Sequence, residues 1–217
     1  MPHTNPISAW ASLRDGNHRF VEGKMRHPSQ NTQRRQESVA AQHPKAVLFG
    51  CSDSRVAAEI IFDQGLGDLF VIRTAGHIID TAVLGSIEYA VHLLETPLIV
   101  ILGHDNCGGV GAAMDALRTG EIPPGFLRDV VEKVSPSILN GKREGLETTD
   151  DLEARHILET GELLQQRSKI VSDRIDSGDL AIVGVTYKLS DGHAYLRSVI
   201  GDVADVPHGP GETMVAV

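Results

Sequence analysis

The chain has 217 residues, 41% of them apolar and 23% charged, which is enough for one domain of ordinary size with its own core. A formal net charge of -9 leaves no basic footprint, so neither nucleic acid nor an anionic membrane is expected as a partner. No apolar run reaches the length of a membrane-spanning helix, and the N-terminus lacks the charged-then-apolar pattern of a signal peptide. With only two cysteines, this points to the cytoplasm, where thiols stay reduced.

In chain order, residues 6–22 carry Ile7, Trp10, Leu13 and Phe20 at three- and four-residue steps and predict a helix. Residues 23–43 are polar and predict an arm. Lys45–Gly50 is an apolar strand candidate, Val56–Asp63 a short helix, and Leu69–Arg73 a second strand. Residues 81–95 repeat apolar positions with helical spacing, and Pro97–Gly103 is a third continuous apolar run. Helices are expected at 109–118, 126–139 and 150–175, with a surface connection at 140–150 between the last two. Residues 180–187 and 193–200 face each other across a turn containing Asp191-Gly192 and predict a hairpin.

Continuous apolar strands separated by helices imply an α/β fold: a mainly parallel central sheet flanked by helices, with an antiparallel edge hairpin and an N-terminal helical arm. The expected organisation is an arm over residues 1–44, a catalytic core over 45–200 and a poorly ordered tail over 201–217.

The chemistry concentrates at two strand ends. Cys51-Ser52-Asp53-Ser54-Arg55 follows the first strand, and His104-Asp105-Asn106-Cys107-Gly108-Gly109 follows the third. In an open parallel sheet, sites form outside the carboxyl ends of the strands. Two thiolates, an imidazole and a carboxylate make a four-ligand set of the type that selects zinc, with Cys51, Asp53, His104 and Cys107 as ligands. Arg55 lies two residues beyond Asp53, where it can fork onto the carboxylate and hold it off the ion. A Cys51–Cys107 disulfide is the plain alternative.

Together these motifs resemble the signature of the β-class carbonic anhydrases, in their actinobacterial form. Gly16-Asn17-His18-Arg19-Phe20, Phe70-Val71-Ile72-Arg73-Thr74-Ala75-Gly76 and Ser86-Ile87-Glu88-Tyr89-Ala90 extend the resemblance over roughly residues 6–200. It implies one zinc per subunit on Cys51, His104 and Cys107, with water or Asp53 in the fourth position. It also implies a substrate pocket that includes Gln42, Phe70, Tyr89 and Gly108, with the glutamine often supplied by a partner subunit, and a dimer or tetramer. One branch of the family has a regulatory bicarbonate pocket marked by a tryptophan three residues before the first cysteine. Leu48 stands there, so that pocket is not expected.

The implied reaction is reversible hydration of carbon dioxide to bicarbonate and a proton by a zinc-bound hydroxide. Asp53, held by Arg55, would accept the hydroxide's proton. Phe70 and Tyr89 suit the wall of a small apolar pocket, and equally suit ordinary core packing. Rival readings are a carbonyl sulfide or carbon disulfide hydrolase on the same scaffold, a non-catalytic zinc protein, and a thiol redox sensor.

Overall fold

The computed structural model describes residues 5–207. Four strands run parallel: β1 (Ala46–Cys51), β2 (Leu69–Thr74), β3 (Leu98–His104) and β4 (Ala181–Tyr187). A fifth, β5 (Ala194–Ile200), pairs antiparallel with β4, and the spatial order is β2-β1-β3-β4-β5. The predicted architecture is therefore present, edge hairpin included. Every residue of β1, β3 and β4 is buried. That explains their unbroken apolar runs, because a strand covered on both faces has no solvent side toward which to alternate.

Helices cover both faces. On one, α1 (Pro6–Val21) and α3 (Ala58–Ile61) bring Trp10, Leu13 and Ile61 against Leu48, Val100 and Val183. On the other, α4 (Thr81–Glu88), α7 (Thr149–Arg167) and α8 (Lys169–Asp176) bring Ile87, Ile157 and Val171 against Phe49, Ile101 and Ile182. A third cluster lies past the carboxyl ends of the strands. There α5 (Gly108–Thr119) and α6 (Leu127–Arg143) pack Val110, Val134 and Ile138 around Cys51 and Cys107.

The N-terminal helix is tied to its own chain. Buried Asn17 donates to the carbonyls of Ile61 (3.1 Å) and Gly192 (2.9 Å) and accepts from the Ala194 N–H (2.9 Å). The polar stretch at 23–43 contains a short α2 (Thr32–Glu37) with no buried residue.

Four boundaries differ from the sequence expectation. The helix expected over 150–175 breaks at Ser168, whose Oγ accepts from Val171 N–H (3.2 Å) while its hydroxyl donates to Glu88 (2.6 Å). The helix over 81–95 loosens into a π-helical turn at Tyr89–Leu93. Helix α6 continues through Asn140-Gly141, so the surface connection is shorter than expected. A Cβ on Gly141 would lie 2.6 Å from Leu152, so the glycine allows α7 to close on this last turn. Finally, residues 202–207 do not match a poorly ordered tail. Val203 is buried, and Asp205 accepts from Trp10 Nε1 (2.9 Å) and Arg14 (3.1 Å). The rest of that expected tail, 208–217, lies outside the described residues.

Candidate metal centre

Strand β1 has β2 on one side and β3 on the other, so the strand order reverses around it. The crevice at such a switch point is where open parallel sheets carry their sites. Gly50 pairs with Leu102, so Cys51 and His104 leave the sheet within about a residue of the same level. After His104 the chain must turn back quickly, and Asn106 does this with φ of 55°, a left-handed conformation that asparagine tolerates. Cys107 then opens α5.

The outcome is a compact buried cluster: the ligand atoms of Cys51, His104 and Cys107 all lie within 4.8 Å of one another. His104 Nδ1 is 2.8 Å from the Asp105 carbonyl. A carbonyl can only accept, so Nδ1 carries the proton and Nε2 keeps its lone pair. That Nε2 is buried without a hydrogen-bond partner. Both thiols are free, which removes the disulfide alternative. A hydrogen bond from the Cys107 thiol holds Cys51 well below the ordinary thiol range. Two crowded sulfurs and a bare imidazole nitrogen fit a zinc ion and suit calcium or magnesium poorly.

Asp53 stands beside this cluster rather than in it. Its Oδ2 is 3.9 Å from His104 Nε2. Arg55 grips the same carboxylate, with Nε 3.0 Å and backbone N 2.9 Å from Oδ1, and Nη2 2.7 Å from Oδ2. These hydrogen bonds hold the Asp53 carboxyl far below the usual carboxylate range. Gly108 follows Cys107 directly, and the space where its Cβ would project is open.

Gln42, Phe70 and Tyr89 lie elsewhere. Phe70 pairs with Val47 while Cys51 pairs with Thr74, so Phe70 sits roughly 13 Å back along the sheet. Tyr89 stacks on it with ring centroids 6.1 Å apart and is 46% exposed. Gln42 is exposed ahead of the amino end of β1. One chain therefore assembles the ligand half of the expected site and leaves the pocket half apart.

Sequence reasoning assigned no role to Glu153 or His156, and met Arg73 only in the Phe70–Gly76 motif and the regulatory pocket of one family branch. Arg73 donates to the carbonyls of Cys51 (3.0 Å) and Asp53 (2.6 Å) and so fixes the loop between them. Behind His104, Glu153 on α7 accepts the His104 N–H (3.2 Å). Burial pushes the Glu153 carboxyl up to about 8. This approach needs Gly103, because a Cβ there would run into Glu153 and Ile157. One turn on, His156 bonds Ser137 and the Gly76 carbonyl, with His77 against its ring. The one sequence signal for this layer is Glu153-x-x-His156, two polar residues on the same face of a helix that packs on the sheet.

A sequence profile described as carbonic anhydrase matches residues 46–194, more than half the chain. The chain belongs to the carbonic anhydrase family. It is 60% identical over 205 residues to carbonic anhydrase 2 of Mycobacterium tuberculosis, covering 94% of this chain and 99% of that protein. It is 58% identical over 206 residues to the carbonic anhydrase of Mycolicibacterium smegmatis, covering 95% and 100%. Among solved structures it resembles the β-carbonic anhydrase CcaA, with a TM-score of 0.70 at 26% identity over 92% of this chain and 95% of that one. This likeness places the chain in the β class. A tetrameric β-carbonic anhydrase of Sordaria macrospora shares the fold, with a TM-score of 0.69 at 22% identity over 86% and 95%.

Proposed function

We propose that this family member catalyses the reversible hydration of carbon dioxide to bicarbonate and a proton, using one zinc ion held by Cys51, His104 and Cys107. The observation that carries the reading is the bare, buried Nε2 of His104 facing two free thiols at neighbouring strand ends. When bound, zinc supplies the Lewis acidity that makes water nucleophilic near neutral pH.

The chain's own residues do the rest. Asp53 accepts a hydrogen bond from the attacking water and orients it, because its carboxylate borders the cluster and is kept ionised. Arg55 turns that carboxylate away from the ion through a forked pair. Were the pair to open, Asp53 would be the residue available to hold a bound zinc in its fourth position. Gly108 leaves room beside Cys107 for a small substrate.

Gln42, Phe70 and Tyr89 form the flank that receives carbon dioxide, and a second copy of the chain delivers them. Their distance from the ligands within one chain supports this, as does the exposure of Tyr89 (46%) and Leu93 (62%). The assembly is a dimer or tetramer, and tetramers are described for the Sordaria macrospora relatives. We place the protein in the cytoplasm, where two free thiols persist. Among the described residues, no helix is long and apolar enough to cross a membrane.

The deciding experiment measures zinc content together with carbon dioxide hydration across pH, with carbonyl sulfide turnover beside it. Stoichiometric zinc with rapid carbon dioxide turnover is expected. Preference for carbonyl sulfide, or bound zinc with no turnover, would replace this reading.

A further inference from the structure

The carbonyl that sets the His104 tautomer belongs to a residue moored on two other sides. Asp105 is buried directly beyond β3, where its N–H donates to the Tyr187 carbonyl (3.2 Å) and its carboxylate Oδ1 accepts from the Leu189 N–H (2.8 Å). Its own carbonyl accepts from His104 Nδ1 (2.8 Å). One residue therefore joins the turn between β4 and β5 to a ring whose other nitrogen is bare and lies in the cluster with Cys51 and Cys107.

That turn is a firm mooring. The Lys188 N–H donates to the His193 carbonyl and the Gly192 N–H to the Lys188 carbonyl, both at 2.9 Å. Asn17 of α1 holds Gly192 and Ala194 from outside, and the Leu189 side chain packs against the core cluster that contains Trp10 and Leu13. The ligand loop needs such a hold. Asn106, the next residue, is exposed and left-handed with φ of 55°, a conformation that costs a residue with a side chain, so the backbone does not favour this turn unaided.

We propose that Asp105 is a positioning residue for the metal centre: its carboxylate, tied to the Leu189 N–H, holds in place the carbonyl that keeps His104 Nε2 aimed at the two thiols. A metal-binding imidazole is oriented by the hydrogen bond of its other nitrogen, and that bond is only as fixed as its acceptor. Here the acceptor is a backbone carbonyl in a tight loop, so its position is set by what ties the loop down. The β4–β5 turn thereby supports the metal centre, although its residues lie outside the ligand cluster. The inference rests on the zinc reading of the same site.

Two measurements test it. In metal-free Asp105→Ala, nitrogen NMR of the His104 ring should show the single Nδ1–H tautomer of the wild type giving way to a mixture, and zinc should bind about 10- to 100-fold more weakly by chelator competition. Asp105→Asn, which removes the charge and keeps an acceptor for the Leu189 N–H, should restore both. A wild-type tautomer and affinity in Asp105→Ala would overturn the proposal. So would Asp105→Asn behaving like Asp105→Ala, because the charge and not the tether would then be at work. The second measurement uses the wild type and the reciprocity of coupled equilibria: a tether that strengthens metal binding is itself strengthened by the metal. Zinc should slow hydrogen exchange of the Leu189 amide about 10-fold or more and leave the Gly192 amide of the same turn nearly unchanged. Equal protection of the two amides, or none, overturns the proposal even where Asp105→Ala does not fold. Any of these failures in protein that binds zinc stoichiometrically leaves the zinc reading standing. Wild-type protein that takes up no zinc overturns that reading, and this inference with it.

Discussion

Asp53 Oδ2 lies 3.9 Å from the bare Nε2 of His104, yet three hydrogen bonds from Arg55 hold the same carboxylate. The carboxylate thus stands between two partners, a guanidinium that keeps it outside the cluster and a metal that would draw it in. On the proposed reading, which partner has it would decide whether a bound ion keeps an open position.

Arg55→Ala removes the outer partner. Zinc content should stay stoichiometric, because no ligand is touched, while turnover falls by about 10²-fold or more, the scale of lost orientation of the attacking water. Metal analysis and stopped-flow hydration on the same sample check this. Full activity would take Arg55 out of the mechanism.

Metal removal should loosen the protein without unfolding it. The two large clusters on either face of the sheet hold no ligand residue, whereas the third packs directly on Cys51 and Cys107. Chelation should lower the melting temperature and leave the far-ultraviolet dichroism near its holo value, and added zinc should reverse the change. Cys107→Ser should show the lower melting temperature from the outset and no response to zinc.

Asp63 gives a pH test of stability. Its side chain is 1% exposed and accepts from Arg26 N–H (3.0 Å), His27 N–H (2.9 Å) and Arg19 Nε (2.6 Å). Burial alone would raise its pKa, but the Arg26 N–H, the Arg19 guanidinium and the His27 N–H outweigh it, and the net shift is downward. A lowered folded pKa means the stabilisation is present above the unfolded value, near ~4, and is lost as pH falls through the folded one. Asp63→Asn should cost about 2 kcal/mol near neutral pH by denaturant titration. That gap should close on acidification. A gap independent of pH would show that the charge is not its source.

Leu93→Glu probes the second copy. Leu93 is 62% exposed, ends the π-helical turn that begins at Tyr89, and is not in the ligand cluster. Light scattering should report a smaller species with normal zinc content and reduced turnover. An unchanged assembly would put the interface on another face.

Much of this was legible because apolar runs and polar motifs alternate along the chain. Cys51 and His104 each close a buried strand, so their common edge could be read without knowing the strand order. The supporting layer could not be read in the same way. Glu153 and His156 come from a helix some fifty residues after His104, and their approach depends on glycines at 103 and 76 whose purpose appears only when the neighbour is known. The break at Ser168 was missed because apolar spacing continues across it, while the capping serine that ends one helix and starts the next is a single local signal. Asn140-Gly141 looked like a turn and proved to be a contact point between two helices.

The placement of the ligands on either side of a strand crossover also sets the timing of metal acquisition. Cys51 and His104 become neighbours only once β3 is paired with β1. During synthesis the first thiol must therefore wait, unmetallated, until Cys107 has left the ribosome and the sheet has closed. In that interval the chain offers a lone thiolate to whatever metal is at hand, and copper outcompetes zinc for such donors.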